Sequence, residues 1–164
     1  MPVEIPLDLR ALRNALGRFA TGVTIITCVD AQGRATGLTA NSFSALSLEP
    51  PLVLWSLRQA STTHAAFAAA KYFAVNVLGE SQVDISRRFA SGDEGRFADG
   101  QWAPGNCGAP LLSGCAAVLE CETVSQQTAG DHTLFIGRVL AIDDAPIAPL
   151  LFQAGHYRMI GEVL

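Results

Sequence analysis

Lysine is almost absent from these 164 residues: Lys71 stands alone, and the eleven basic side chains face fifteen acidic ones. A formal net charge of -4 and a pI near 5.2 leave no clustered basic face of the kind a nucleic-acid partner requires. Long apolar runs are missing too; none approaches the ~18 residues of a membrane span. Met1 to Leu12 is broken by Pro2, Glu4, Pro6 and Asp8, so it has no signal-peptide core. The expectation is a cytoplasmic protein, with neither nucleic acid nor membrane among its partners. Neither G-x-G-x-x-G nor G-x-x-x-x-G-K occurs, which removes the usual devices by which a Rossmann or P-loop fold holds a nucleotide. No C-x-x-C pair occurs either. Cys28, Cys107, Cys115 and Cys121 are isolated from one another and from His64, His132 and His156, so reduced thiols and no metal are expected.

What is present is apolar. About half the residues (49%) are hydrophobic and the mean hydropathy is +0.29, enough for one sizeable core in a single domain spanning 1–164, with apolar surface left for a homo-oligomer to cover. Leu9, Leu12, Leu16 and Phe19 recur at helical spacing, so residues 8 to 19 read as an amphipathic helix with Asp8 as N-cap. Val23 to Val29 is β-branched, and Asp30-Ala31-Gln32-Gly33 turns the chain into a second extended stretch. Leu52 to Leu57 reads as a buried strand, Thr62 to Ala70 as a short helix capped by Ser61 or Thr62, and Tyr72 to Leu78 as the next strand. Ser81 with Asp84 resembles a capping box for a helix through about Ala90.

Residues 91 to 114 carry six glycines and little periodicity and read as a surface excursion of the kind that covers sites. Residues 116 to 125 and 133 to 143 are two long strands joined through Thr128-Ala129-Gly130-Asp131, and a last pair lies near 150 to 162. Strands dominate without strand–helix alternation, which predicts a mainly β antiparallel barrel.

Three clusters could carry chemistry. Gly37 to Ser47 packs hydroxyls and the amide of Asn41 between apolar strands, where small residues let a planar ligand approach the backbone; a plain Thr/Ser-rich edge strand has the same composition. Ser56 to His64 places hydroxyls and Arg58 where a strand meets a helix, a natural phosphate cradle, although N-capping alone accounts for one hydroxyl. His132 follows Gly130-Asp131 between two strands, where Asp131 can orient the imidazole; an exposed turn histidine is the ordinary alternative. No Ser-His-Asp or Cys-His arrangement can be assembled from spacing.

Read together, Arg18-Phe19-Ala20-Thr21-Gly22-Val23-Thr24, Thr39-Ala40-Asn41-Ser42-Phe43, Ser47-Leu48-Glu49-Pro50-Pro51-Leu52-Val53-Leu54, Phe73-Ala74-Val75-Asn76-Val77-Leu78, Arg88-Phe89-Ala90, Gly130-Asp131-His132, and Pro149-Leu150 before Gly155-His156-Tyr157 resemble the flavin reductase-like, FMN-binding split-barrel family. The likeness is greatest to the reductase components of two-component flavin-dependent monooxygenases.

The resemblance implies a homodimer of six-stranded antiparallel Greek-key split barrels, each binding FMN or FAD near the interface, with NADH or NADPH as hydride donor and a separate oxygenase as recipient of reduced flavin. It implies that Thr39, Ala40, Asn41, Ser42 and Ser44 meet the isoalloxazine ring and that Ser56, Ser61 and Thr62 meet the ribityl phosphate. Asn76 and Val77 would line the pocket, Arg88 and Phe89 would flank the phosphate or adenine end, and His132 would be the catalytic residue on the nicotinamide side. Hydride transfer asks for no protein nucleophile, and none is visible. A flavoprotein that keeps its flavin and reduces iron or another acceptor, and a non-enzymatic flavin-binding module, fit the same residues.

Overall fold

The computed structural model describes residues 5–92 and 95–164. The start of the Met1 to Leu12 segment and two positions of the 91 to 114 excursion lie outside the described residues.

In chain order the elements are α1 (Leu9–Gly17), β1 (Thr21–Gly22), β2 (Thr24–Val29), β3 (Ala35–Ala40), β4 (Ser44–Leu48), β5 (Pro51–Arg58), α2 (His64–Ala69) and β6 (Tyr72–Val77). A 3-10 turn (Glu80–Gln82) leads into α3 (Val83–Ala90), followed by β7 (Trp102–Pro104), β8 (Pro110–Leu112), β9 (Ala117–Ala129), β10 (His132–Asp144), β11 (Leu151–Gln153) and β12 (His156–Arg158). The main sheet has seven strands, in the order β3-β2-β6-β9-β10-β5-β4, all antiparallel to their neighbours.

Seven strands are one more than the six expected, and no ladder joins the edge strands β3 and β4. Yet β3 ends at Ala40 and β4 begins at Ser44. A link that short reaches at most ~14 Å, whereas the edges of a flat seven-stranded sheet lie ~29 Å apart. The sheet therefore curls until the end of β3 and the start of β4 lie within reach of the link 41–43, without closing.

Curling buries both faces of β2, whose first five residues are all buried. On one side Trp55 stacks on Phe135 at 4.7 Å and meets Phe67 edge-on at 5.0 Å, in a cluster with Ile26, Cys28, Phe73 and Val75. On the other side Ile25, Leu78, Ile85, Phe89 and Leu112 form a second cluster beneath α3 and the β7–β8 hairpin. This hairpin lies within the 91 to 114 stretch.

Two local expectations change. α1 is capped as expected by Asp8, whose carboxylate accepts the Arg10 N–H at 2.9 Å, but its apolar stripe is not buried: Leu9, Leu16 and Phe19 are 64%, 65% and 81% exposed. The expected Ser81/Asp84 cap before α3 does not form. Gln82 does that work, accepting the Gly79 N–H at 2.9 Å and donating to the Ser113 carbonyl at 2.9 Å. Its longer side chain satisfies both groups at once, and one 3-10 turn precedes the helix.

Candidate functional site

β5 and β10 run antiparallel with Arg58 opposite His132, so the end of one strand and the start of the other share an edge. The β9–β10 turn is the two residues Gly130-Asp131, and Gly130 takes φ +59°, a value for which glycine carries no steric penalty. The Asp131 carbonyl accepts the Gln59 N–H at 2.9 Å, tying this turn to the β5–α2 connection. His132 Nδ1 lies 2.7 Å from Asp131 Oδ1. A carboxylate can only accept, so Nδ1 carries the proton. The bond from His132, then its charge, holds the Asp131 carboxyl below the usual carboxylate range. His132 is 39% exposed, and among the described residues its Nε2 has no protein partner.

Ser42 is stitched to β5: its hydroxyl donates to the Ser56 carbonyl at 2.9 Å and accepts the Ser56 N–H at 3.0 Å. That brings the loop between the two sheet edges beside the strand that leads to Arg58. Asn41 is exposed there. Ser44 is exposed, pairs with Leu54 in the β4–β5 ladder, and its hydroxyl donates to the Ala45 carbonyl at 3.0 Å. Thr39 and Ala40 are committed to the fold, Thr39 donating to the Ser86 carbonyl at 2.6 Å and the Ala40 carbonyl accepting from Thr24 at 2.7 Å. Past Arg58, Ser61 Oγ lies 2.9 Å from Thr63 Oγ1 and accepts the Thr63 N–H at 3.3 Å, while Thr62 is exposed. The helix N-cap is Thr63, without a side-chain cap bond, rather than Ser61 or Thr62. His64 Nε2 lies 2.8 Å from the buried Thr133 hydroxyl, fastening α2 to β10.

Thr62 and Thr63 also border a cavity of about 630 Å³ between the β2–β3 turn, α2, Gly92 and the Gly95-Arg96-Phe97 stretch. Thr36, Gly37, Arg96 and Phe97 line it as well, and the Asp30–Arg34 ion pair, 2.8 Å from Nε to Oδ2, stands at its edge. Arg96 donates to the Gly37 carbonyl at 2.9 Å. Gly37 is tightly packed: a Cβ there would lie 3.1 Å from Phe89 Cε1 and 3.2 Å from both Phe97 Cζ and the Ile26 carbonyl, so a neighbour would have to give way. The backbone therefore forms the wall.

The structure thus gathers Asn41, Ser42, Ser56, Arg58, Ser61, Thr62 and His132 along one end of the sheet and sets other expected residues apart. Asn76, expected to line the pocket, is fully buried. Its amide donates to the Ile25 carbonyl at 3.0 Å, and its oxygen accepts the Leu112 N–H at 2.9 Å, so its polar atoms are taken up by β2 and the hairpin. Val77 is half-buried, and its carbonyl accepts the Ala116 N–H at 2.9 Å. Phe89 is 2% exposed, packed at 5.0 Å from Phe97 and 5.1 Å from Trp102. It shapes the wall at Gly37 from behind. Arg88 pairs with Asp99 at 2.6 Å. Sequence reasoning did not find Arg96 and Phe97, which sit in the aperiodic excursion, nor the structural bond of His64. Gly37 lay within the small-residue stretch, but only its contacts mark it.

A family profile, the flavin reductase like domain, matches residues 16–161. A Rhizobium meliloti protein named "Probable flavin reductase" is 45% identical over an alignment taking in 100% of this chain. The chain spans only 53% of that relative's length. The Mycobacterium tuberculosis protein "Flavin-dependent monooxygenase, reductase subunit HsaB" is 40% identical over 92% of this chain and 82% of its own. Among solved structures, the Streptomyces globisporus NADH:FAD oxidoreductase SgcE6, in complex with NAD and FAD fragments, superposes with a TM-score of 0.90 at 36% identity, covering 98% of each chain. Fold, residue pattern and relatives agree, and the chain belongs to the flavin reductase like domain family.

Proposed function

We propose that this chain is an NAD(P)H:flavin oxidoreductase that reduces FMN or FAD and passes the reduced flavin to a separate monooxygenase. The observation that carries the reading is a half-exposed, carboxylate-oriented histidine opposite the end of β5, beside the connection to α2, with a cavity that Thr62 and Thr63 border and His132 does not line, in a chain of this family. The residues suit the cofactor. Among the described residues the hydroxyls of Thr36 and Thr62 have no protein partner, and with the Arg96 guanidinium they are donors to which a phosphate is a fitting acceptor. The glycine wall at Gly37 lets a ligand lie against backbone.

A bound flavin supplies the hydride-accepting ring and the nicotinamide supplies the hydride. The chain's own residues do the rest. Asn41, Ser42 and Ser44, on the loop between the sheet edges and the strand after it, border the ring, with the backbone of Thr39 and Ala40 behind them. Ser56, Ser61 and Thr62 lie toward the phosphate, and Arg88 stands beyond it, fixed by Asp99. His132, oriented by Asp131, offers Nε2 to the nicotinamide side. Its role is to hold a ligand in position, since no acid–base step is required of it.

A homodimer is part of the proposal. Phe19 at 81%, Leu48 at 93% and Ile142 at 72% exposure form apolar surface of the kind a second copy would cover, and a partner seated there would complete the split barrel. A cytoplasmic location is supported by four cysteines that remain free thiols; no helix among the described residues is long and apolar enough to cross a membrane.

Steady-state turnover with free FMN or FAD as the varied substrate, beside light scattering, tests the reading. Saturation by added flavin and a mass twice 17.3 kDa are expected. Turnover indifferent to added flavin points to a protein that keeps its flavin, and flavin binding without nicotinamide oxidation to a mere flavin carrier.

A further inference from the structure

We infer that Glu120 is a positioning residue for the flavin site, acting through the β7–β8 hairpin; the inference rests on the reading that the cavity beside Thr62 and Phe97 receives flavin. Glu120 lies on β9 and is 4% exposed. A buried carboxylate is costly unless its charge is matched. The nearby cations do not match it: Lys71 and Arg138 both pair with Glu122, at 3.8 and 2.6 Å. Instead Oε1 accepts the Asn106 side-chain N–H at 2.9 Å and Oε2 accepts the Cys107 backbone N–H at 3.0 Å. Both donors belong to the turn of the hairpin, so carboxylate and turn depend on each other. The fit is close enough that a Cβ on Gly105 would stand 2.5 Å from Oε2.

The inner strand of the hairpin has its own anchors. Thr27 donates to the Pro110 carbonyl at 2.6 Å, and Asn76 accepts the Leu112 N–H at 2.9 Å. Glu120 is therefore the side chain that holds the turn itself, from which the outer strand β7 departs. β7 carries Trp102, whose ring packs 4.8 Å from Phe97 and 5.1 Å from Phe89. Phe97 lines the cavity, and both phenylalanines press on the Gly37 backbone. A continuous set of contacts thus runs from Glu120 through residues 105–107, Trp102 and Phe97 to the wall opposite Thr62. Releasing the turn loosens that wall while leaving His132, which does not line the cavity, in place.

The test compares Glu120→Ala, Glu120→Gln and Ala69→Trp in the full chain, measuring flavin KM and kcat with the nicotinamide that supports turnover, and the alkylation rate of Cys107. Ala69 is exposed and lines the cavity, so a tryptophan there obstructs it directly. Glu120→Ala is expected to raise flavin KM on the order of 10-fold, the scale of losing charge-assisted hydrogen bonds, with kcat at saturating flavin within about 2-fold. Cys107 alkylation should accelerate in the same variant, because its amide has been released. Glu120→Gln should restore KM to within about 3-fold of the parent, since its carbonyl can still accept the Cys107 N–H while Asn106 turns over to accept the new amide.

A raised KM in Ala69→Trp with an unchanged KM in Glu120→Ala overturns the positioning role alone. No change in Ala69→Trp shows that the cavity is not the flavin site, and both readings fall. Equal loss of kcat and KM performance in Glu120→Ala and Glu120→Gln also overturns the inference, because a hydrogen-bonding latch must be rescued by glutamine. Should Glu120→Ala not fold, Asn106→Ala removes one of the two bonds from the solvent side, and an unchanged flavin KM there is equally fatal.

Discussion

Replacing Asn76 by leucine separates a ligand contact from a structural clamp. The two side chains branch alike at Cγ, so leucine keeps the shape and removes the hydrogen bonds, with some added bulk from its methyl groups. Asn76 is 0% exposed and links three elements: its amide bonds the Ile25 carbonyl on β2 at 3.0 Å, and its oxygen holds the Leu112 N–H of β8 at 2.9 Å. Leaving a buried donor or acceptor without its partner costs ~1–3 kcal/mol each, so two such groups amount to ~2–6 kcal/mol. At ~2–4 °C per kcal/mol for a domain of this size, the melting temperature should fall by ~4–24 °C. Thermal unfolding by circular dichroism gives the first number, and flavin titration of the folded protein at low temperature gives the second. A large melting shift with flavin affinity changed only through the hairpin is expected. Wild-type melting combined with lost flavin binding would refute the clamp and return Asn76 to the pocket.

His132→Ala should raise the KM for NAD(P)H and slow hydride transfer by about 10- to 100-fold while flavin affinity holds; stopped-flow reduction at varied nicotinamide reads both. Asn41→Asp, placing a charge on the exposed loop between the sheet edges, should weaken flavin binding far more than it lowers the melting temperature, and equal affinity would make residues 39–44 a plain sheet edge. Gly37→Ala forces a Cβ to within 3.1–3.2 Å of Phe89, Phe97 and the Ile26 carbonyl; overpacking of this kind costs ~1–3 kcal/mol, and melting should record it together with a raised flavin KM. Burial pushes the thiols of Cys28, Cys115 and Cys121 up to about 12 from an ordinary 9.0. Above pH 9 the unfolded chain loses these protons while the folded chain keeps them, so stability should fall between about pH 9 and 12, by ~1.4 kcal/mol per pH unit for each thiol. Urea melts across that range that show no decline would contradict it.

Strand periodicity and turn residues made the main sheet readable before any coordinates. Gly130-Asp131 and Asp30 to Gly33 mark hairpins by their backbone needs alone, and both hairpins are present. The number of strands was less legible, because β4, with Ser44, Ala45 and Ser47, has neither β-branched residues nor alternation and forms only through pairing with β5. Local chemistry also misled at α3: Ser81 and Asp84 have the spacing of a capping box, but Gln82 wins because a third segment, at Ser113, supplies it a second bond. In the site, hydroxyl-rich loops and the Gly-Asp-His turn could be found from residue type. Asn76 could not be told from a ligand-binding amide, since its partner Leu112 is 36 residues away in sequence. Arg96, Phe97 and Glu120 act through tertiary contacts of an aperiodic loop, which no spacing rule encodes.

The central claim is that this chain moves hydride from a nicotinamide to a flavin. Anaerobic mixing of the purified protein with FMN or FAD and with NADH or NADPH, following the flavin's visible absorption, tests it most directly. Bleaching that requires both ligands and depends on protein concentration is the predicted result; an oxidised spectrum that persists with either donor and either flavin would contradict the account.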